Sequence, residues 1–188
     1  MTPPRDGVDR AAAVRAALRR LVAARGFHGT SMGAVAKEAG VATGTAYVHY
    51  PSKDELVHAA YLEAKRELGD AAAARVDAAA PARARFEQLW LGVYDHLCAD
   101  PGRARFLLQV EVSPYGTEAH ERALAVADDP LVALAAEPDL AGRLVDLPPL
   151  VLYDLAVGPI VRIAAAGHEP ERAALPTLIE SCWRAITR

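Results

Sequence analysis

At 188 residues, with 52% hydrophobic and 24% charged side chains, the chain is long enough to bury a substantial apolar core and too apolar to be a disordered segment. Its two cysteines, Cys98 and Cys182, are too few for a disulfide framework, the start Met1-Thr2-Pro3-Pro4-Arg5-Asp6 has no apolar signal segment, and no stretch has the uninterrupted apolar length of a membrane span. The net charge of -3 conceals a split: residues 1–66 carry 10 Lys and Arg against 6 Asp and Glu, and the remainder 11 against 18, so only the first third is suited to tracking phosphates.

Val14, Leu18, Leu21 and Val22 recur at i, i+4, i+7 and i+8, which predicts a first helix with Asp9 as its N-cap and Gly26 as its stop. Arg15, Arg19 and Arg20 read as its solvated face, and Arg5 with Arg10 as a candidate basic arm. Thr30 or Ser31 caps a two-turn second helix whose inner face is Met32, Val35, Ala36 and Ala39 and which ends at Gly40. Thr43 to Tyr50 forms a short third helix stopped by Pro51. Ser52 caps a fourth, with Asp54 and Glu55 in its first turn, expected to run to about Ala80 before Pro81. Further helical segments are predicted near 82–99, 102–112, 118–127, 131–144, 149–166 and 171–187, separated by Pro and Gly breaks. Gly158-Pro159 should kink the 149–166 segment. Strand alternation is missing throughout, so the expected class is all-α.

The stretch from Ser31 to Leu56 has the grammar of a helix-turn-helix. Ala36 is small where two helices must cross, Gly40 permits a left-handed turn, and Val41 plugs the angle between them. The helix that follows presents Thr43, Gly44, Thr45, Tyr47 and His49, which are short donors, bare backbone and polar rings suited to a DNA groove. Tyr50, three residues after Tyr47, reads as core. The competing reading makes His49 and Lys53 ordinary exposed groups.

Gly40-Val41-x-x-Gly44-Thr45-x-Tyr47-x-His49-Tyr50-Pro51-Ser52-Lys53-Asp54-Glu55-Leu56 resembles the signature of the TetR family of transcriptional regulators, and the likeness extends upstream through Gly26-Phe27 and Thr30-Ser31. The resemblance implies an N-terminal three-helix helix-turn-helix DNA-binding domain (1–52), a connecting fourth helix (53–80) and a C-terminal helical ligand-binding and dimerisation domain (81–188). It implies that Thr43, Gly44 and Thr45 face bases and phosphates, that Tyr47 and His49 contact the sugar-phosphate backbone, and that Lys53 pairs with a phosphate. Thr30 and Ser31 join them as DNA-binding candidates. Two positions depart from the family pattern. Ala42 stands where a capping serine is common, and Gly33-Ala34 occupies a turn that often carries charge.

The second domain shows no nucleophile elbow, phosphate loop or zinc-protease motif, and His96-x-Cys98 lacks a second pair of ligands, so neither an enzyme nor a metal or other cofactor is expected. Trp90, Tyr94, Phe106, Gln109 and Tyr153, with Glu111, Tyr115 and Arg162, are candidates to line a small-molecule cavity between helices. Leu175, Leu178, Ile179, Cys182, Trp183 and Ile186 form one stripe, and the preceding helix, including Val157 and Val161, is apolar almost all round. By the resemblance, Val157, Val161, Leu175, Ile179, Cys182, Trp183 and Ile186 belong to a homodimer interface. The expected protein is a cytoplasmic, nucleoid-associated repressor that binds pseudo-palindromic double-stranded operator DNA as a homodimer and answers to a small-molecule effector, with no membrane partner. The alternative is a helical small-molecule-binding protein without specific operator binding.

Overall fold

The computed structural model describes residues 6–126, 130–167, 170 and 172–188. Among them the helices are α1 (Asp6–Arg25), α2 (Met32–Glu38), α3 (Thr43–His49), α4 (Lys53–Ala73), α5 (Ala82–Cys98), α6 (Pro101–Glu111), α7 (Gly116–Leu124), α8 (Pro130–Ala135), α9 (Pro138–Ala141), α10 (Pro149–Ala156), α11 (Gly158–Ala166) and α12 (Leu175–Ile186). Extended backbone pairs at a single isolated antiparallel bridge, between Leu144 and Thr187. The all-α class is as expected. Arg5 of the candidate basic arm, and Glu171 at the expected start of the last helix, lie outside the described residues. No single helix among the described residues is long and apolar enough to cross a membrane.

The backbone is already helical at Asp6, so Asp9 lies inside the first turn and is not its N-cap. Once a helical nucleus exists, adding a residue is cheap. The stripe Val14, Ala17, Leu18, Leu21 and Val22 is buried against α2, α4 and α6. The arginine face of α1 is not solvated as its sequence suggested. Arg15 and Arg19, four residues apart, lie opposite Glu63 and Glu67, also four apart, because α1 and α4 pack side by side. Arg15 donates to Glu63 at 2.6 Å and to the Tyr50 hydroxyl, while Arg19 binds both oxygens of Glu67 at 2.8 and 2.7 Å. The Arg19 guanidinium holds the Glu67 carboxyl below its usual range. Arg20 alone of the three stays outside, paired with Glu38.

The fourth helix stops at Ala73, well short of Ala80. Beyond it, Asp77 competes with the helix: its carboxylate accepts the Ala79 N–H at 2.9 Å, and its own N–H donates to Gln88 of α5 at 2.8 Å. The chain then reverses so that α5 crosses α4 closely. At the crossing a Cβ on Gly92 would fall 2.8 Å from the Ala71 carbonyl.

The larger core joins α4, α5, α6 and α11 through Tyr61, Leu68, Trp90, Leu97, Phe106, Leu107 and Ile160. The α8–α9 segment is fastened to α5 by Arg85, which is buried and ion-paired with both Glu137 and Asp139. The predicted kink is present: α10 and α11 meet at 46°, where Pro159 removes a backbone donor.

The C-terminal stripe is turned differently from the expectation. Val157, Val161, Ile179, Cys182 and Ile186 are buried within the chain's own core, and Leu175 is half-buried against it. Trp183 packs on Phe86, ring centroids 5.2 Å apart, and the Arg83 guanidinium lies over its ring at 5.7 Å. A single amphipathic helix must first cover its apolar face against its own domain, and α5 and α10 provide that cover. What stays uncovered is one side of α10, where Leu150 and Val151 are exposed together with Leu147 just before it, while Leu152, Tyr153, Leu155 and Ala156 are half-buried against the core.

Candidate nucleic-acid interface

The helix-turn-helix is built from α2, the turn Ala39-Gly40-Val41-Ala42, and α3. Gly40 adopts φ +70°, a conformation that costs any other L residue about 1–2 kcal/mol. The Val41 N–H then returns to the Ala36 carbonyl at 3.0 Å. Ala36 and Ala46 are fully buried where the two helices meet, and Tyr50 closes the unit from below, its hydroxyl donating to the Ala11 carbonyl at 3.3 Å. As expected from its side chain, Ala42 makes no cap for α3, and among the described residues the Thr43 hydroxyl does not take over that role.

Packing Ala46 and Tyr50 inward fixes which side of α3 faces out. Thr43, Gly44, Tyr47 and Val48 are exposed, and Thr45 and His49 lie half-buried at the margins. Thr43, Gly44 and Tyr47 are therefore open to solvent on one side of the helix. Val48, at 81% exposure the most open large apolar side chain described, was missed by sequence reasoning. Its only sequence signal was its position directly after Tyr47, and an isolated valine in a helix pattern looks like core.

Three residues expected at the DNA surface have other partners. Thr30 is buried and its hydroxyl donates to the Gly26 carbonyl at 2.9 Å, closing the turn that follows α1, so it belongs to the scaffold and not to the exposed face. Ser31 is exposed, but its oxygen accepts the Ala34 N–H at 3.2 Å as the N-cap of α2. Lys53 donates to the Phe27 carbonyl at 3.0 Å and lies 5.5 Å from the Phe27 ring centre. Its ammonium therefore ties the start of α4 to the loop after α1. Arg25, His28 and Lys37 are the exposed basic groups nearest to this unit in sequence.

The junction with α6 and α7 is polar and aromatic. Phe27 stacks obliquely on Tyr115 at 5.0 Å, and Arg122 of α7 reaches Glu55 of α4 at 3.3 Å while holding Glu118 at 2.7 Å. His58 is buried 3.6 Å from Glu118, and the Tyr61 hydroxyl meets His120 at 3.1 Å. The first half of α4 thus adds polar contacts with α7 to the packing of α1 on α6 that joins the DNA-binding unit to the helical domain.

The expected cavity residues do not form one site, although Glu111, with Lys65 and Arg162 near it, shares Lys65 with Tyr153. Trp90 and Phe106 are fully buried in the core, with Tyr94 stacked on Trp90 at 5.8 Å. Gln109 lies beside Gly26 at the end of α1. Tyr153 of α10 receives the Lys65 ammonium over its ring at 3.6 Å. A groove of about 430 Å3 instead runs along the outer side of α4, lined by Ala59, Leu62, Lys65 and Glu67 with Ala123 and Val126 across it. No cluster of metal-ligating side chains is present among the described residues, His96 and Cys98 included.

Comparison with known proteins follows this geometry. Residues 14–60 match the family model described as bacterial regulatory proteins, tetR family. A Haemophilus influenzae protein described as an uncharacterized HTH-type transcriptional regulator is 27% identical over 186 residues, spanning 96% of this chain and 97% of that one. A solved structure of a TetR family transcription regulator from a Shewanella species superposes with a TM-score of 0.81 at 25% identity, covering 95% of this chain and 98% of the other. A TetR-family regulator from Haemophilus influenzae gives 0.80 at 25% identity over 98% and 100%. At 21% identity, the secondary repressor of a multidrug efflux pump in Pseudomonas aeruginosa shares the fold, with a TM-score of 0.67 over 98% and 99% of the two chains.

Proposed function

We propose that this chain, which belongs to the TetR family of bacterial regulatory proteins, is a ligand-responsive transcriptional repressor that binds a pseudo-palindromic operator as a homodimer. One observation carries the reading. The second helix of a helix-turn-helix turns Thr43, Gly44, Tyr47 and Val48 outward, uncovered by any of the described residues. Folding does not require a large apolar side chain to stand in water there, whereas a DNA major groove accommodates a helix with such a face. The protein acts as a regulator and not as an enzyme, in the cytoplasm on nucleoid DNA.

The homodimer is formed through α10, since one side of that helix is apolar and left without cover, and the outer face of α12 beside it carries small groups, Thr177, Ser181 and Ala185. Two-fold symmetry would set two recognition helices about 34 Å apart, one turn of DNA. Replacing Val151 with Asp is expected to convert the dimer to monomer in sedimentation velocity while leaving the helical circular dichroism unchanged. A variant that still sediments as a dimer would move the interface elsewhere.

The effector is a small molecule that shifts the equilibrium between operator-competent and incompetent arrangements by its preference for one of them. The groove along α4 is its entry, because the same helix, at Glu55 and His58, meets the joint that supports α1 and α3. The test of the whole reading is a gel-shift titration against the gene's own upstream region. Wild type should select one segment over bulk DNA, and Tyr47→Ala should weaken binding to that segment and to non-specific DNA alike. Non-specific, salt-sensitive binding only would identify a small-molecule-binding protein without an operator.

A further inference from the structure

Helix α3, Thr43–His49, contains no Arg, Lys, Asn, Gln, Asp or Glu. The side chains that read guanine, adenine or cytosine edges by paired or charged hydrogen bonds are therefore missing from the outward helix. Threonine hydroxyls serve as donor or acceptor and discriminate weakly. What the helix does hold is exposed apolar surface: Tyr47 at 49% and Val48 at 81%, the highest value of any large apolar side chain among the described residues.

Gly44 gives that surface a shape. A methyl group built on Gly44 would meet nothing within 4 Å, and its φ lies outside the left-handed region, so neither packing nor backbone conformation asks for glycine. Glycine inside a helix is nevertheless less favourable than alanine. Helical side chains lean toward the N-terminus over the residue one turn earlier, which places the branched side chain of Val48 at the border of the bare backbone of Gly44. Bare backbone at Gly44, one helical turn before the exposed Val48, leaves a notch in that row: open space where any other residue would carry a Cβ.

We infer that the Gly44–Val48 row seats the 5-methyl group of a thymine in each operator half-site, and that Val48 is the specificity-determining residue for that base. The thymine methyl is the apolar group that the major groove displays, and apolar contact is the means by which it is read. This rests on the operator-binding reading above.

The experiment uses the dimeric full chain and a synthetic duplex of the operator segment mapped by the gel-shift titration. Each thymine in turn, at symmetry-related positions of both half-sites, is replaced by deoxyuridine, which removes only the 5-methyl group. Fluorescence anisotropy should show one thymine position at which wild-type Kd rises about fourfold per half-site, the value for one methyl withdrawn from an apolar contact. Val48→Ala should bind more weakly and lose that distinction between thymine and uracil. Gly44→Ala should melt at a higher temperature than wild type yet bind the operator less tightly, because its methyl fills the notch. Wild-type indifference to uracil at every position, a uracil penalty that survives in Val48→Ala, or unchanged operator binding by Gly44→Ala would each overturn the assignment while leaving operator binding itself intact. Failure of wild type to select any segment would overturn the operator-binding reading, and the thymine seat with it.

Discussion

Replacing Trp90 with Ala is expected to lower the free energy of unfolding by about 3–5 kcal/mol, read as a shift of the urea midpoint at unchanged slope. The indole is fully buried in α5, stacked on Tyr94 with the rings 11° from parallel, and adjoins Cys182 of α12, whose thiol burial pushes upward. Removing it leaves a void between α5 and α12 that neighbours already in well-packed positions fill only in part. Trp90→Phe, which keeps a ring in the site, should lose less. A cavity-lining tryptophan would behave otherwise, since its loss would enlarge an existing space at small cost. A destabilisation under about 1 kcal/mol for Trp90→Ala would therefore return this residue to the list of effector contacts.

The second large effect is a pH dependence centred on Glu111, at the end of α6. Burial raises its carboxyl to about 7; the nearby Lys65 and Arg162 draw it down and Asp154 pushes it up. One of its oxygens, Oε1, is buried without a hydrogen-bond partner among the described residues. A carboxyl that ionises at about 4.3 in the unfolded chain but near 7 in the folded one favours the folded state only while it is protonated. Its ionisation in the unfolded chain drains stability as pH rises from the first value to the second, and above that the penalty is constant. Glu111→Gln removes the ionisation. Its unfolding free energy should exceed that of wild type by about 1–3 kcal/mol at pH 8, and the difference should shrink progressively toward pH 5. Chemical denaturation at several pH values measures this directly, and a difference independent of pH between 5 and 8 would show that Glu111 ionises like an ordinary surface carboxylate.

Both effects lie in the part of the chain where sequence was least informative. In the DNA-binding unit, local rules were sufficient. Gly40, Ser31, Ser52 and Pro51 act within a few residues of themselves, through a left-handed turn, two side-chain caps and a missing donor, so the boundaries of α2 and α3 were readable directly. The exposed face of α3 followed from the same periodicity, save for Val48, whose apolar side chain resembles a core residue until the packing of Ala46 and Tyr50 shows that it points away.

Roles that depend on distant partners were not readable. Thr30 has the right chemistry for phosphate, but it is buried with its hydroxyl on the Gly26 carbonyl, and Lys53 already gives one of its three donors to the Phe27 carbonyl. Arg15 and Arg19 looked solvated because Glu63 and Glu67 are 48 residues away in sequence. The aromatic residues expected in a cavity were chosen for their type, and type does not distinguish a pocket wall from a filled core.

Residue order alone was enough for the helical class, the helix-turn-helix and the kink at Gly158-Pro159, because each arises from periodicity or backbone constraints acting over a few residues. Only the packed chain decided that Trp90, Phe106, Val157, Val161 and Ile179 are core, that uncovered apolar surface is on α10, and that Val48 stands in solvent. An apolar stripe states that one face must leave water; the arrangement of the other helices determines whether the chain's own core or another molecule receives it.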